Sequence, residues 1–309
     1  MIAGAVLCLG GGIFWSIRNI SSSKHAPTAS ATTEEHAGAS AQAQKETVPR
    51  LSPGIARITD PGVHWEERVQ AVRDLPSRLG EESVSQLFAF LEQPPASGEE
   101  KWYLVCNEIM EVLRKRNMVP GIYTKSLTKL VTSPSADPMI RDYAVQHLAQ
   151  WASGIDPAAC EPDQALAVSA FASMHAEAGN SKNGALTMVG TACNALADAV
   201  INGSPAIQAK RDEVSRLALA VIRDSAFSTV NRSSAIQAAA RLGADGLPAI
   251  CRELAADTHA SVDLRLSSIA ALGVVGGPED LSFIRTFQNQ DAYKFAAATA
   301  LERLEGASN

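Results

Sequence analysis

Paired cysteines are missing from this chain. It has five, Cys8, Cys106, Cys160, Cys193 and Cys251, and none forms a Cys-x-x-Cys pair. A zinc ribbon, a thioredoxin-type redox motif and covalent haem attachment therefore have no support. Aromatic residues are equally sparse at 5%, and no run of alternating β-branched residues marks a half-buried strand. Both absences argue against a β-sandwich. Gly10-Gly11-Gly12 is not followed by Lys-Ser or Lys-Thr, so it is no phosphate loop, and a Gly-x-Ser-x-Gly nucleophile elbow is absent. His64-Trp65-Glu66-Glu67 lacks the second histidine that a helical zinc site needs one turn on. His175-Ala-Glu177 has the His-x-Glu form of zinc deaminases, but the Pro-Cys-x-x-Cys that completes their site is missing, and Cys193 stands alone. Nothing here calls for a metal, a cofactor or a catalytic residue. The formal net charge of −6 is a poor match for a phosphate backbone, so nucleic acid is not an expected partner.

What the chain has in quantity is alanine and helical periodicity. Leu247, Ile250, Cys251 and Leu254 fall at i, i+3, i+4 and i+7, one apolar stripe of a helix. Pro248 sits in its first turn, where a missing N–H is harmless. Gly243 stands where the preceding helix needs a left-handed residue. Val262, Leu266, Ile269 and Leu272 make a second stripe, broken at Gly276-Gly277; Leu281, Ile284 and Phe287 make a third. The last helix turns Tyr293, Ala297, Ala300, Leu301 and Leu304 inward.

These helices are built on one theme. Arg232, Ala235 and Ile236 match Arg265, Ser268 and Ile269, and Lys294, Ala297 and Ala298 repeat the pattern, at spacings of about 30 residues that signal stacked helical units. Arg68-Val-Gln-Ala71-Val72 and Arg141-Asp-Tyr-Ala144-Val145 fit the same core. A basic residue, then a small one, then an apolar one, with a Leu-Gly helix end, resembles the HEAT-type repeats, including the short bacterial form also seen in lyases that attach bilins to phycobiliproteins. The resemblance is clear over about 229–305 and weaker upstream. It implies an all-α fold: a right-handed α-solenoid of stacked antiparallel helix pairs, HEAT-like or armadillo-type. It also implies that the repeated arginines are structural, their forks bonding loop carbonyls of the adjacent repeat while their stems pack.

Three regions are expected. Residues 1–20 carry an uncharged apolar run, Ile2 to Trp15, extending to Ile20 with Arg18 inside its end, and read as a signal anchor or transmembrane segment. Residues 21–53, rich in Ser, Ala, Thr, Gln and Pro, read as a disordered linker. Residues 54–309 form the repeat domain. A tether of this kind fits a body on the outer, periplasmic side of a bacterial inner membrane, while Arg18 and Lys24 after the apolar run would place the body in the cytoplasm.

The expected function is protein–protein interaction, as a membrane-tethered scaffold or assembly factor. The alternative is a bilin-lyase-like enzyme or small-ligand binder on the same repeats. The resemblance implies that the second helix of each pair lines a concave face. Arg252, Glu253, Arg285 and Gln288, pointing away from the apolar stripes of two such helices, are the candidate partner contacts. Arg114-Lys115-Arg116 could touch phosphate, but the end of a helix is where cations complement the dipole.

Overall fold

The computed structural model describes residues 52–93, 101–154, 163–180 and 188–307. Among them every element is a helix: α1 Pro53–Thr59, α2 Trp65–Arg73, α3 Glu81–Leu91, α4 Trp102–Lys115, α5 Pro120–Thr132, α6 Pro138–Ser153, α7 Gln164–Asn180, α8 Met188–Asn202, α9 Pro205–Gln208, α10 Arg211–Arg223, α11 Thr229–Leu242, α12 Leu247–Ala256, α13 Val262–Val275, α14 Asp280–Arg285 and α15 Lys294–Ala307. The chain is all-α in its described part.

Helix ends follow local chemistry. Ser52, Asp137, Ser228 and Ser261 cap α1, α6, α11 and α13 by accepting first-turn N–H groups. Gly243 closes α11 at φ 64°. Helix α2 stops at Arg73, ahead of Pro76, which disfavours helix at the residue before it. Two helices, α9 and α10, follow α8, with Ala209 and Lys210 between them. Helix α1 starts on the last residue of the stretch read as linker and opens the repeat domain. Two apolar residues, Ile55 and Ile58, give it too little periodicity to register in sequence, yet both are fully buried.

Seven helices pack in series: α2 on α4, α4 on α6, α6 on α8, α8 on α11, α11 on α13, and α13 on α15. The others lie against this row, with α1, α10 and α12 packed mainly on the row helix that follows each in sequence. Small residues bring the row close. A Cβ on Gly273 of α13 would lie 2.5 Å from Ala300 Cα of α15, and one on Gly190 of α8 would lie 3.1 Å from Asn231 Cα of α11. The buried side chains, among them Val72, Ile109, Leu148, Leu196, Ile236, Leu272 and Leu301, form one apolar core.

The expectation of a transmembrane helix or signal anchor is corrected. No helix among the described residues is long and apolar enough to cross a membrane. Crossing needs about 20 consecutive apolar residues, whereas these helices alternate a buried stripe with a polar face. Residues 1–20, to which the anchor was assigned, and most of the linker lie outside the described residues.

Candidate functional site

The repeated arginines perform one local task. Arg68 Nε donates to Ile58 O at 2.7 Å, Arg232 Nε to Ile222 O at 2.8 Å and Arg265 Nε to Ala255 O at 2.9 Å; Arg141 reaches Val131 O with Nε and Nη2 at 3.1 and 3.0 Å. Each acceptor is the penultimate residue of the helix just before, a carbonyl with no intrahelical partner. The bond therefore joins two helices across a single turn, and the acceptor is a helix end rather than a loop of the adjacent repeat. The turns share one build. Asp60, Ser133, Asp224 and Asp257 end one helix with extended backbone, and four residues later His64, Asp137, Ser228 and Ser261 begin the next. Asp60, Asp224 and Asp257 each accept the N–H two residues on, at 2.8, 2.9 and 2.8 Å. Lys294 departs from the theme: its ammonium pairs with Asp291 at 3.0 Å.

The starts of neighbouring row helices touch from α2 through α4 to α6, and again from α8 through α11 and α13 to α15. Lys101, before α4, sits 4.5 Å over the Trp65 ring at the start of α2. Tyr103 donates to Asp137, the cap of α6, at 3.1 Å. Asn231 of α11 accepts the Gly190 N–H of α8 at 3.1 Å. Ser261 and Thr229 hydroxyls lie 3.4 Å apart, and Arg265 sits 4.5 Å over the Tyr293 ring ahead of α15. On the edge so formed, Leu104, Met139, Val230, Val262 and Phe295 stand exposed, each in the first turn of its helix, from 41% for Leu104 to 78% for Phe295. Two other large apolar side chains, Val168 and Val274, are exposed elsewhere. Single exposed apolar residues need no explanation, but one in the first turn of five of the seven row helices, α2 and α8 excepted, does.

The four expected contact residues lie on or just beyond α12 and α14. Arg252 lies on α12, where it pairs with Asp280 through Nη2–Oδ2 at 2.9 Å and a second, shorter contact, and with Glu279 at 3.4 Å. Asp280 is fully buried. Burial raises its pKa, but the Arg252 bond and the Gly277 N–H outweigh that and hold the carboxyl below its ordinary value. Glu253 is exposed beside Arg252. Arg285, closing α14, pairs with Glu305 of α15 at 2.9 Å, and Gln288 is exposed beyond it. Helices α12 and α14 belong to the set laid against the row, not to the row itself. Both arginines thus hold helices together.

The remaining polar groups have structural partners as well. Arg116 donates to Arg73 O at 2.7 Å and Pro76 O at 3.3 Å, while Arg114 and Lys115 pair with Glu111 at 3.0 and 2.7 Å. Arg114 and Lys115 also lie in the last turn of α4. Glu177 binds Arg141 at 2.6 Å, whereas His175 faces Glu213 at 3.6 Å, so the His-x-Glu pair points to two different neighbours. Among the described residues no three His, Cys, Asp or Glu side chains cluster to hold a metal. Cys106, Cys193 and Cys251 are buried and form no disulfide, and burial pushes the Cys193 and Cys251 thiols up to about 12. Cys8 and Cys160 lie outside the described residues. His147 of α6 is enclosed against α4, its Nε2 3.0 Å from Asn107 Oδ1 and its Nδ1 3.8 Å from Glu111 Oε2.

The exposed edge was missed in sequence because periodicity locates buried positions. Its signal was an apolar residue just after each helix cap, as in Asp137-Pro-Met139, Ser228-Thr-Val230 and Ser261-Val262. No family model matches the chain, and no curated protein matches it. Among solved structures, human deoxyhypusine hydroxylase in complex with glycerol aligns over 82% of this chain and 95% of that one, at 12% identity and a TM-score of 0.33, a likeness too slight to carry fold or function across.

Proposed function

We propose that the helical body is a HEAT-like, right-handed stack that binds a protein partner, serving as a scaffold or assembly factor rather than an enzyme. The observation that carries this reading is the edge of aligned helix starts with its five exposed apolar side chains. Such a row offers anchor points to another protein, and helix spacings of about 8–10 Å suit an extended or helical segment laid across them. The thiols of Cys193 and Cys251 are buried with raised pKa, and Arg232 and Arg265 are tied to helix-end carbonyls, which favours binding over catalysis.

A photo-reactive amino acid placed at Met139 and, separately, at Val262 tests the proposal in cells of the native host. The expected result is a cross-link to the same protein from both positions, with exposed Ala256 on α12 giving none. Adducts that differ between the two positions, or equal labelling from position 256, would remove the edge as a binding surface. Glutamate at Arg252 is a less useful probe, because it also breaks the Asp280 pair.

A further inference from the structure

The seam between α4 and α6 is built unlike others in the row. Between α8 and α11, and between α13 and α15, glycine lets backbones approach: Gly190 lies against Asn231 and Gly273 against Ala300. Between α4 and α6 polar side chains meet at three levels. Tyr103 donates to Asp137 at the helix starts, and His147 Nε2 lies 3.0 Å from Asn107 Oδ1 in the middle. Beyond the end of α4, Trp151 Nε1 donates to Asn117 Oδ1 at 3.5 Å. This is also the slightest contact between neighbouring row helices. The turn after α4 holds Asn117 and Val119 at φ 46° and 47°, a left-handed conformation that a β-branched residue adopts only when its surroundings impose it. Movement of α4 would release that strain.

His147 sits inside this seam, 4% exposed. Its Nδ1 makes no hydrogen bond and stands 3.8 Å from Glu111 Oε2. The charged groups that act on the ring all come from α4: Arg114, Glu111 and Lys115. Glu111 favours a charged ring, but burial and then Arg114 weigh more heavily against it, and Lys115 adds to them. A proton on the closed ring is therefore held without water and beside two cations. Parting the helices rehydrates the imidazole and lets it charge. We propose that the α4–α6 seam is an acid-labile joint, in which protonation of His147 parts the two helices and separates Leu104 from Met139. The weakened binding that follows rests on the function proposed above; the joint itself does not. The α8–α11 and α13–α15 seams close on glycine, so the opening is confined to one place in the row.

Hydrogen–deuterium exchange of the full chain at about pH 7.5 and about pH 5.5, corrected for intrinsic exchange rates, tests this. A ring that titrates at about 4 when closed and at 6.5 when open makes opening about tenfold more favourable at the lower pH. Protection of α4 and α6 amides should fall by that factor, while α13 amides keep theirs. His147→Gln, whose amide can still bond Asn107, should show no such fall. Cross-linking from Met139 should weaken at the lower pH in wild type and not in the variant, and cross-linking from Val262 should not change. Protection of α4 and α6 that is indifferent to pH, or that falls equally in α13 or in the variant, overturns the proposal. A seam that opens in acid, with no cross-link from Met139 or Val262 at either pH, would leave the joint standing and remove the binding function instead.

Discussion

His147 provides the test with the largest calculable effect. Burial, then the positive charge of Arg114, brings its pKa down from 6.5 to about 4, with Glu111 acting in the opposite direction. In the unfolded chain the same imidazole takes up a proton near its ordinary value. Between the two values the unfolded state binds a proton that the folded state refuses. The neutral histidine's contribution is therefore complete above about pH 6.5 and is lost as pH falls towards about 4. A displacement of this size, at 1.36 kcal/mol per unit, corresponds to about 3 kcal/mol. Carboxylates also titrate in acid, so the quantity to measure is a difference. Urea unfolding followed by circular dichroism, near neutrality and at about pH 4.5, is compared for wild type and His147→Gln, whose amide can still bond Asn107. Near neutrality the variant is the less stable. By about pH 4.5 wild type should have lost about 2–3 kcal/mol more than the variant. A stability difference that does not change with pH would refute the reasoning.

Other expected outcomes rest on different parts of the molecule. Arg232→Met keeps the stem but leaves the Ile222 carbonyl without its charged donor, a loss of about 1–3 kcal/mol in urea unfolding. Arg68→Met should lose more, because Arg68 is almost fully buried and also stacks on Phe90 at 5.3 Å; equal losses would contradict this. Gly273→Ala drives a Cβ into the Ala300 backbone and should destabilise by about 1–3 kcal/mol, whereas Gly179→Ala, with nothing within 4 Å, should be neutral or stabilising. The two thermal midpoints should move apart. Cys193 and Cys251 should resist alkylation at neutral pH until urea unfolds the chain, as read by peptide mass mapping; rapid labelling of the native protein would show that their burial is not maintained.

The sequence by itself determined the helical class. Stripes such as Leu247, Ile250 and Cys251, the caps Ser228 and Ser261 and the stop at Gly243 are local features, and each forms where local chemistry puts it. The repeated arginine was legible as structural for the same reason, since its position in the first turns is fixed by the motif. Its acceptor was not, because a carbonyl ten residues earlier comes within reach only once the intervening turn folds back. Tertiary structure alone decided the rest. Whether Arg252 faces solvent or a buried carboxylate depends on α14 approaching α12, and no spacing within α12 encodes that approach. The grouping of Leu104 with Met139, and of Val230 with Val262 and Phe295, likewise exists only because the starts of neighbouring row helices touch. Periodicity states which side of a helix is buried; which residues of separate helices share a surface is fixed by how those helices cross.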